Sequence, residues 1–379
     1  MPETFKTATA KGFETLGNLY RQCGRENAFD GYFWLAANAL QTCLEYLLRS
    51  GRTDDRELLV AAETIYRRLL PVGWWRDDFG WWGNAFVLAW SNRQQLGYAA
   101  PVYDDLFNNL IQHSLDCAQV LNGGWSDEPY GIPADHAGPG TGAFPGGVYN
   151  VLPAQQPPDK PLTGRNSVTN ELFWLLCQAL QEAQPGKGPS PDRIKAWFYN
   201  WLGLESGGLL AADRAVVLER PRGWIGDLTW CWTGDQGLLF RALTNAGDPE
   251  TAHVVAFSAF AHMADDSGIL FDTPRPPSGY LLDYATGKGV LMRHLVWPGD
   301  PPLADPMPNL IMANASAVWI NRLDKYGHQF GNDWSGAFAT LPVTGPQPQP
   351  LCNIVMQASG QDALNAALLI APDGEIPGS

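Results

Sequence analysis

The sequence lacks an excess of positive charge: 25 Lys and Arg stand against 39 Asp and Glu in 379 residues, a formal net charge of −14. A protein that grips a phosphate backbone needs a basic face, so nucleic-acid binding is not expected. No apolar run approaches the roughly 20 residues that cross a bilayer, so no membrane span is expected either. The six histidines show no His-x-x-x-His spacing. The six cysteines, Cys23, Cys43, Cys117, Cys177, Cys231 and Cys352, lie far apart with no Cys-x-x-Cys pair, and no metal-ligand pattern emerges. Five of them fall in apolar helical patterns, where cysteine behaves as a small buried hydrophobe, which favours free thiols and a reducing compartment. An even count leaves disulfides open. Charged residues make up only 17% against 45% apolar, a globular rather than a disordered balance. The opening residues Met1 to Lys6 have neither a basic segment nor an apolar one, so a cytoplasmic location is expected, or a secreted or periplasmic one if a leader has been removed.

What is abundant is aromatic. Sixteen Trp, 12 Tyr and 16 Phe are present, and many tryptophans stand beside polar residues instead of inside apolar stripes. With 40 Gly and 30 Pro in the same acidic chain, this composition suggests a neutral ligand such as a sugar.

Spacing of about 3.6 residues recurs almost everywhere. It predicts helices at about 5–21, 31–50, 55–70, 79–96, 101–121, 167–182, 191–203, 233–245, 249–264, 286–297, 307–326 and 353–370. The stretch 31–50 is apolar nearly all round, as for an inner helix. Residues 207–218 fit a short hairpin as well as a helix. No linker-like shift in composition appears before about Pro342. One domain over 1–379 is therefore expected, with a long Gly/Pro-rich loop at about 123–165 of the kind that usually carries function. Helices arriving as about six antiparallel hairpins fit an all-α (α/α)6 barrel, a toroid of helical hairpins, and no repeat signature argues for a solenoid. The molecule is expected to be a monomer.

Asp-Asp occurs four times, at 54–55, 77–78, 104–105 and 265–266. The first and third open helices, where acids suit the dipole; the last precedes Ser-Gly and reads as a solvated turn. Asp77-Asp78 differs, because Trp74, Trp75, Phe79, Trp81 and Trp82 flank it at a helix start. Aromatic rings desolvate a carboxyl and a neighbouring like charge raises one member further, which separates a proton donor from an anion. That division of roles is what two carboxylates need to cleave a glycosidic bond, about 5–5.5 Å apart in a retaining enzyme. The residues alone fit two readings: an N-terminal cap with a structural tryptophan cluster, or a catalytic pair.

The segment Asp77-Asp78-Phe79-Gly80-Trp81-Trp82-Gly83 resembles the Asp-Asp-x-x-Trp-Trp-(Ala/Gly)-Leu signature of glycoside hydrolase family 76, the endo-α-1,6-mannanases. Asn170-Glu171-Leu172-Phe173, Trp232 to Leu239, Gly289 to Leu295 and Asn314 to Trp319 resemble further motifs of that family, in its order, over about 36–370. The resemblance implies an (α/α)6 barrel, no metal or organic cofactor, an oligo- or polysaccharide substrate, and retaining hydrolysis of α-1,6-linked mannan or a related α-glycan. It assigns Asp77 as nucleophile and Asp78 as general acid/base. A transglycosylase, a hydrolase of a different α-glycan, and a catalytically silent carbohydrate-binding homologue are the alternatives. Three departures fall where the sugar would be gripped, the first being that only Gly123-Gly124-Trp125 remains of the family's Gly-Gly-Ile-Trp-Trp stretch. Asp235 stands where the family has an amide, and Asn84 where a small apolar residue is usual.

Further candidates for substrate binding follow from position. Trp81 and Trp82 stand three and four residues after Asp78, so one is expected at the site and the other in the core. Trp125 and Asp127 either close one side of the site or anchor the loop. Asn170, with Glu171, begins an apolar helix, where capping is the simpler reading. Asp227, Trp230, Asp235 and Gln236 crowd hydrogen-bonding capacity into a helix entry. Arg293, inside an apolar helix, requires an acidic partner and is a candidate to orient a catalytic carboxylate.

Overall fold

The computed structural model describes residues 2–53, 55, 57–70, 75–127, 146–151, 165–202, 209–210, 215–219, 231–271, 281–324, 327–336, 338–339 and 349–379. Among these, twelve α-helices follow one another: α1 Phe5–Arg25, α2 Phe33–Ser50, α3 Glu57–Leu69, α4 Asp77–Ser91, α5 Asp104–Asn122, α6 Ser167–Ala183, α7 Pro191–Leu202, α8 Thr233–Asn245, α9 Pro249–Met263, α10 Leu281–Leu295, α11 Met307–Ile320 and α12 Gln349–Ile370. Each falls where the apolar period predicts one. The even-numbered helices are buried nearly all round, while the odd-numbered ones leave part of their surface exposed. A helix without a polar face must be enclosed by others. Strict alternation therefore gives six pairs of one enclosed and one solvent-facing helix, the helix order of an (α/α)6 barrel.

The described chain falls into two compact units. The first is Met1–Leu69, Asn92–Ala100 and Ala259–Ser379; the second is Leu70–Ser91 and Pro101–Ser258. In the first, α12 packs on α1, α2, α10 and α11. Its enclosed interior is polar in places. Arg293 on α10 pairs with Asp362 on α12 at 3.1 Å, and Arg49 with Glu45 on α2 at 2.6 Å. In the second, α4 packs on α5 and α6, and α6 on α5, α7 and α8. All six cysteines are buried free thiols.

The junctions differ from the sequence reading by a few residues, for local reasons. α4 starts at Asp77, two residues early, so both acids belong to its first turn. It ends at Ser91 because the chain turns over 92–98, closed by Leu96 N–H on the Asn92 carbonyl (3.0 Å) and by Gly97 at φ +84°. Leu210 and Val217 form an antiparallel bridge, the hairpin alternative for 207–218. Asp104 and Asp105 open α5 exposed to solvent, and the Asp265 carboxylate accepts from the Ser267 and Ile269 amides in an exposed turn.

Candidate active site

The site is built from the first turns of α4, α6 and α8, all in the second unit. Two glycines let α4 approach α6 closely. A Cβ at Gly80 would lie 2.7 Å from the Leu172 Cβ, and one at Gly83 2.6 Å from Leu176 Cδ2. Asn84 fastens the same seam, donating from Nδ2 to the Gly80 carbonyl (2.8 Å) and the Leu172 carbonyl (3.0 Å). The apolar residue usual in the family could not tie these two backbones together.

Asp77 heads α4 within a cradle of donors. Its Oδ1 accepts from the Asp78 amide at 3.0 Å, and Asn166 donates to it from its side chain. With the Asn150 amide turned so that its nitrogen faces the carboxylate, that nitrogen lies 3.2 Å from both Asp77 oxygens. Burial nevertheless outweighs these donors and, with the Glu219 charge, pushes Asp77 up to about 7. Asp78 is buried at 8% exposure. The strand-like residues 75–76 deliver the pair: Trp75 bridges to Val151, and the Arg76 amide donates to the Asn150 carbonyl at 2.7 Å. The Arg76 side chain turns away, over Gly124 and onto the Val120 carbonyl. Trp75 itself stays 43% exposed.

Behind this turn lies a second pair of acids. Glu171, on the first turns of α6, and Asp235, on the first turn of α8, have no solvent exposure. Among the described residues neither carboxyl finds another donor, and the two hydrogen-bond one another. Two carboxylates repel, so this arrangement requires a proton between them. Burial raises both well above the ordinary carboxylate range; the Asp235 charge raises Glu171 further, while the Glu171 hydrogen bond acts to lower Asp235. The pair therefore holds one proton between its two carboxyls. Glu219 and Asp77 both raise Asp235 through their charges. Glu219 is held nearby because the Ser167 amide, at the head of α6, donates to its carbonyl at 2.8 Å.

The two amides predicted as site residues are occupied by the backbone. Asn170 Oδ1 accepts from the Val148 amide (2.7 Å), while its Nδ2 donates to the Val148 carbonyl (3.1 Å) and the Asn166 carbonyl (2.9 Å). Gln236 repeats the pattern one helix pair later: Oε1 accepts from the Val217 amide (2.8 Å), and Nε2 donates to the Val217 and Trp232 carbonyls (2.9 and 3.0 Å). Each amide, on the first turn of an enclosed helix, satisfies a bridge residue earlier in the chain, as a strand neighbour would. In the first unit, Asn314 does the same for the Leu270 amide.

The other candidates separate. Trp81 packs edge-on against Trp232, the residue capping α8 (centroids 6.3 Å), whereas Trp82 is fully buried against Phe86 (5.1 Å). Trp125 and Asp127 form an exposed cluster with Arg193. The guanidinium stacks 4.0 Å over the Trp125 ring, and Asp127 accepts from Arg193 (2.6 Å) and from the Trp125 indole (2.7 Å). Those hydrogen bonds hold the Asp127 carboxyl below its ordinary range. Arg293 belongs to the first unit, where its acidic partner is Asp362; burial pushes that carboxyl up to about 8 even with the guanidinium beside it. Asp227 and Trp230 lie outside the described residues, as does most of the 123–165 loop. The sequence reading passed over Asn150, Asn166 and Glu219, which sit in irregular segments without periodicity. It also read Glu171 only as a helix-start residue. The signal for Glu171 was a charged residue directly before the apolar run from Leu172 to Leu176, in a helix buried nearly all round, which demands a buried partner.

No protein-family model matches the chain, and no curated protein matches it in sequence. Solved structures do. An inactive variant of the α-1,6-mannanase GH76A of Salegentibacter sp. HEL1_6, with two consecutive aspartates replaced and an α-1,6-linked mannotetraose bound, matches at TM-score 0.64 and 16% identity, over 97% of this chain and 100% of that one. A family 76 glycoside hydrolase from a bovine Bacteroides thetaiotaomicron strain matches at TM-score 0.56 and 13% identity, over 95% and 78%. Dfg5 from Chaetomium thermophilum, in complex with glucosamine, matches at TM-score 0.62 and 16% identity, over 89% and 80%. The shared architecture is the (α/α)6 barrel.

Proposed function

We propose that this chain is a member of glycoside hydrolase family 76 that cleaves an α-linked mannan, α-1,6-mannan or a close relative, with retention of configuration through Asp77 and Asp78. The observation that carries the reading is the placement of that pair. Of the consecutive aspartates, 104–105 and 265–266 are exposed and Asp55 is ion-paired with Arg21. Asp77-Asp78 opens an enclosed helix amid amide donors and further buried acids. The Salegentibacter mannanase in its inactive form has two consecutive aspartates replaced, the kind of pair found here.

In this reading Asp77 attacks the anomeric carbon while Asp78 protonates the departing glycosidic oxygen, giving a glycosyl ester on Asp77. Asp78, now a carboxylate, then takes a proton from water as its oxygen attacks the same carbon, which releases the sugar and restores both acids. Asn150, Asn166 and the Asp78 amide favour the anionic form that Asp77 needs for attack. The exposed ring of Trp75, two residues before Asp77, offers a sugar an aromatic face. The Dfg5 complex with glucosamine favours one second reading, transfer or hydrolysis on a glycan other than mannan.

The test is incubation with α-1,6-mannan and a panel of other α-glycans, with products identified and their anomeric configuration followed by NMR. Release of α-configured manno-oligosaccharides is expected. Asp77→Asn and Asp78→Asn should each abolish cleavage while glycan binding survives; turnover in either variant rejects the assignment.

A further inference from the structure

We propose that Glu171 and Asp235 act as one positioning unit, a buried carboxylic acid hydrogen-bonded to a carboxylate, whose single negative charge sets the proton affinity of Asp77 and supports positive charge developing on the sugar ring. The proposal rests on the function proposed above for Asp77. Four observations carry it. Both side chains have no exposure, so water cannot screen them. Among the described residues their oxygens find no donor, and a proton shared between them satisfies both groups. They come from two helices, α6 and α8, whose first turns abut the turn bearing Asp77. Gly80 lies against Leu172, the residue after Glu171, and Trp81 lies against Trp232, three residues before Asp235. Finally, the Asp77 charge raises Asp235, a repulsion that a charge on Asp235 returns.

Two acids act on the unit through their charges, Asp77 from α4 and Glu219 from the segment before α8, with Asp78 beside Asp77 on the same turn. Arg165, just before α6, is engaged with Tyr149, donating to its hydroxyl at 3.0 Å and lying 4.6 Å from its ring. A net charge of minus one behind the pair makes Asp77 harder to ionise in the free protein. It stabilises the oxocarbenium-like transition state by the same field, since a fixed charge in a dry site acts on whichever positive charge forms there. An amide at position 235 would fill the same space without that field.

Two measurements test the unit. The acid limb of kcat/KM against pH reports ionisation of Asp77 in the free enzyme. Asp235→Asn should move that limb about one unit toward lower pH and lower kcat at least tenfold at the optimum, with KM little changed. Glu171→Gln keeps a neutral donor facing Asp235 and should leave the limb where it is. An unmoved limb in Asp235→Asn, or a limb moved equally by both variants, overturns the proposal. The second measurement needs no activity, and so separates failure of the unit from failure of the glycosidase reading. Infrared difference spectra at neutral pH, parent minus Glu171→Gln, should contain the stretch of one protonated carboxyl. Absence of that band, or its appearance only after chelator treatment, which would place a cation instead of a proton between the two acids, also overturns it.

Discussion

Gly80 lies so close to Leu172 that a Cβ on residue 80 would stand 2.7 Å from the leucine Cβ, well inside any real carbon–carbon approach. This closeness sets the distance between the helix bearing Asp78 and the helix bearing Glu171. Gly80→Ala should therefore separate the two first turns by several tenths of an ångström. The helix gains about 1 kcal/mol in propensity but loses about 1–3 kcal/mol to overpacking. We expect a net loss of stability of up to about 2 kcal/mol in denaturant titrations, with kcat falling more than KM rises. Full activity in Gly80→Ala would mean that this spacing does not matter to the chemistry.

The acid limb of the activity profile should lie near pH 7. Asp77 is pushed up to about 7 by burial and the Glu219 charge, and it must be ionised to attack, so kcat/KM should rise with pH through that value. Asn150→Ala removes a donor that favours the anion and should shift the limb upward by about one unit, the scale of one hydrogen bond to a partly exposed charge. A limb that instead falls through pH 7 would make Asp77 the proton donor and reverse the roles within the pair.

Trp75, 43% exposed and fixed by its bridge to Val151, is expected to bind substrate through its ring face. Trp75→Ala should raise KM about tenfold, corresponding to roughly 1.4 kcal/mol, with kcat nearly intact. A variant that loses kcat and keeps KM would place the indole in the chemistry instead of in binding.

The helices and the Asp pair could be read from sequence because both are local patterns. Twelve apolar stripes gave twelve helices, and Asp77-Asp78 stood out through its aromatic neighbours within a few residues. Asn84 and Asp235 could be flagged as departures from a family pattern, yet their reasons are tertiary. Asn84 ties two helix backbones together, and Asp235 faces Glu171 from 64 positions away in the chain. No periodicity encodes such a pairing. Asn170 and Gln236 show the converse, since polar residues at a helix entry resemble ligand-binding groups until the backbone atoms they satisfy are seen.

Stability should fall as pH rises. For Asp77, Asp362 and the Glu171–Asp235 pair, which holds one proton between its two carboxyls, the folded state favours the protonated carboxyl. Above about pH 4 the unfolded chain has released these protons while the folded chain keeps them, so the unfolded state binds fewer and the unfolding free energy declines with pH. The decline runs from about pH 4 through about 7 for Asp77 and about 8 for Asp362. Each group adds up to about 1.4 kcal/mol per pH unit. Tm should therefore be higher near pH 5 than near pH 8, and Glu171→Gln should flatten the slope by about one proton. A Tm that climbs from pH 5 to 8 would contradict the buried protonated acids.

Asn170→Ala distinguishes a clamp from a sugar-binding amide. The Asn170 side chain makes three hydrogen bonds, two of them to Val148, and is fully buried. Its loss would strand the Val148 amide and carbonyl without partners, at about 1–3 kcal/mol for each buried group left unsatisfied. Val148 bridges Trp125, and two residues on Asn150 faces Asp77, so loosening the clamp should also release a donor from the nucleophile. We expect a stability loss of about 3 kcal/mol together with an upward shift of the acid limb in the direction of Asn150→Ala. Asn170→Asp should be worse than alanine, because it can accept from the Val148 amide but places an unpaired acceptor against two carbonyls. If Asn170→Ala instead kept its stability and raised only KM, the amide would belong to the substrate and not to the Val148 segment.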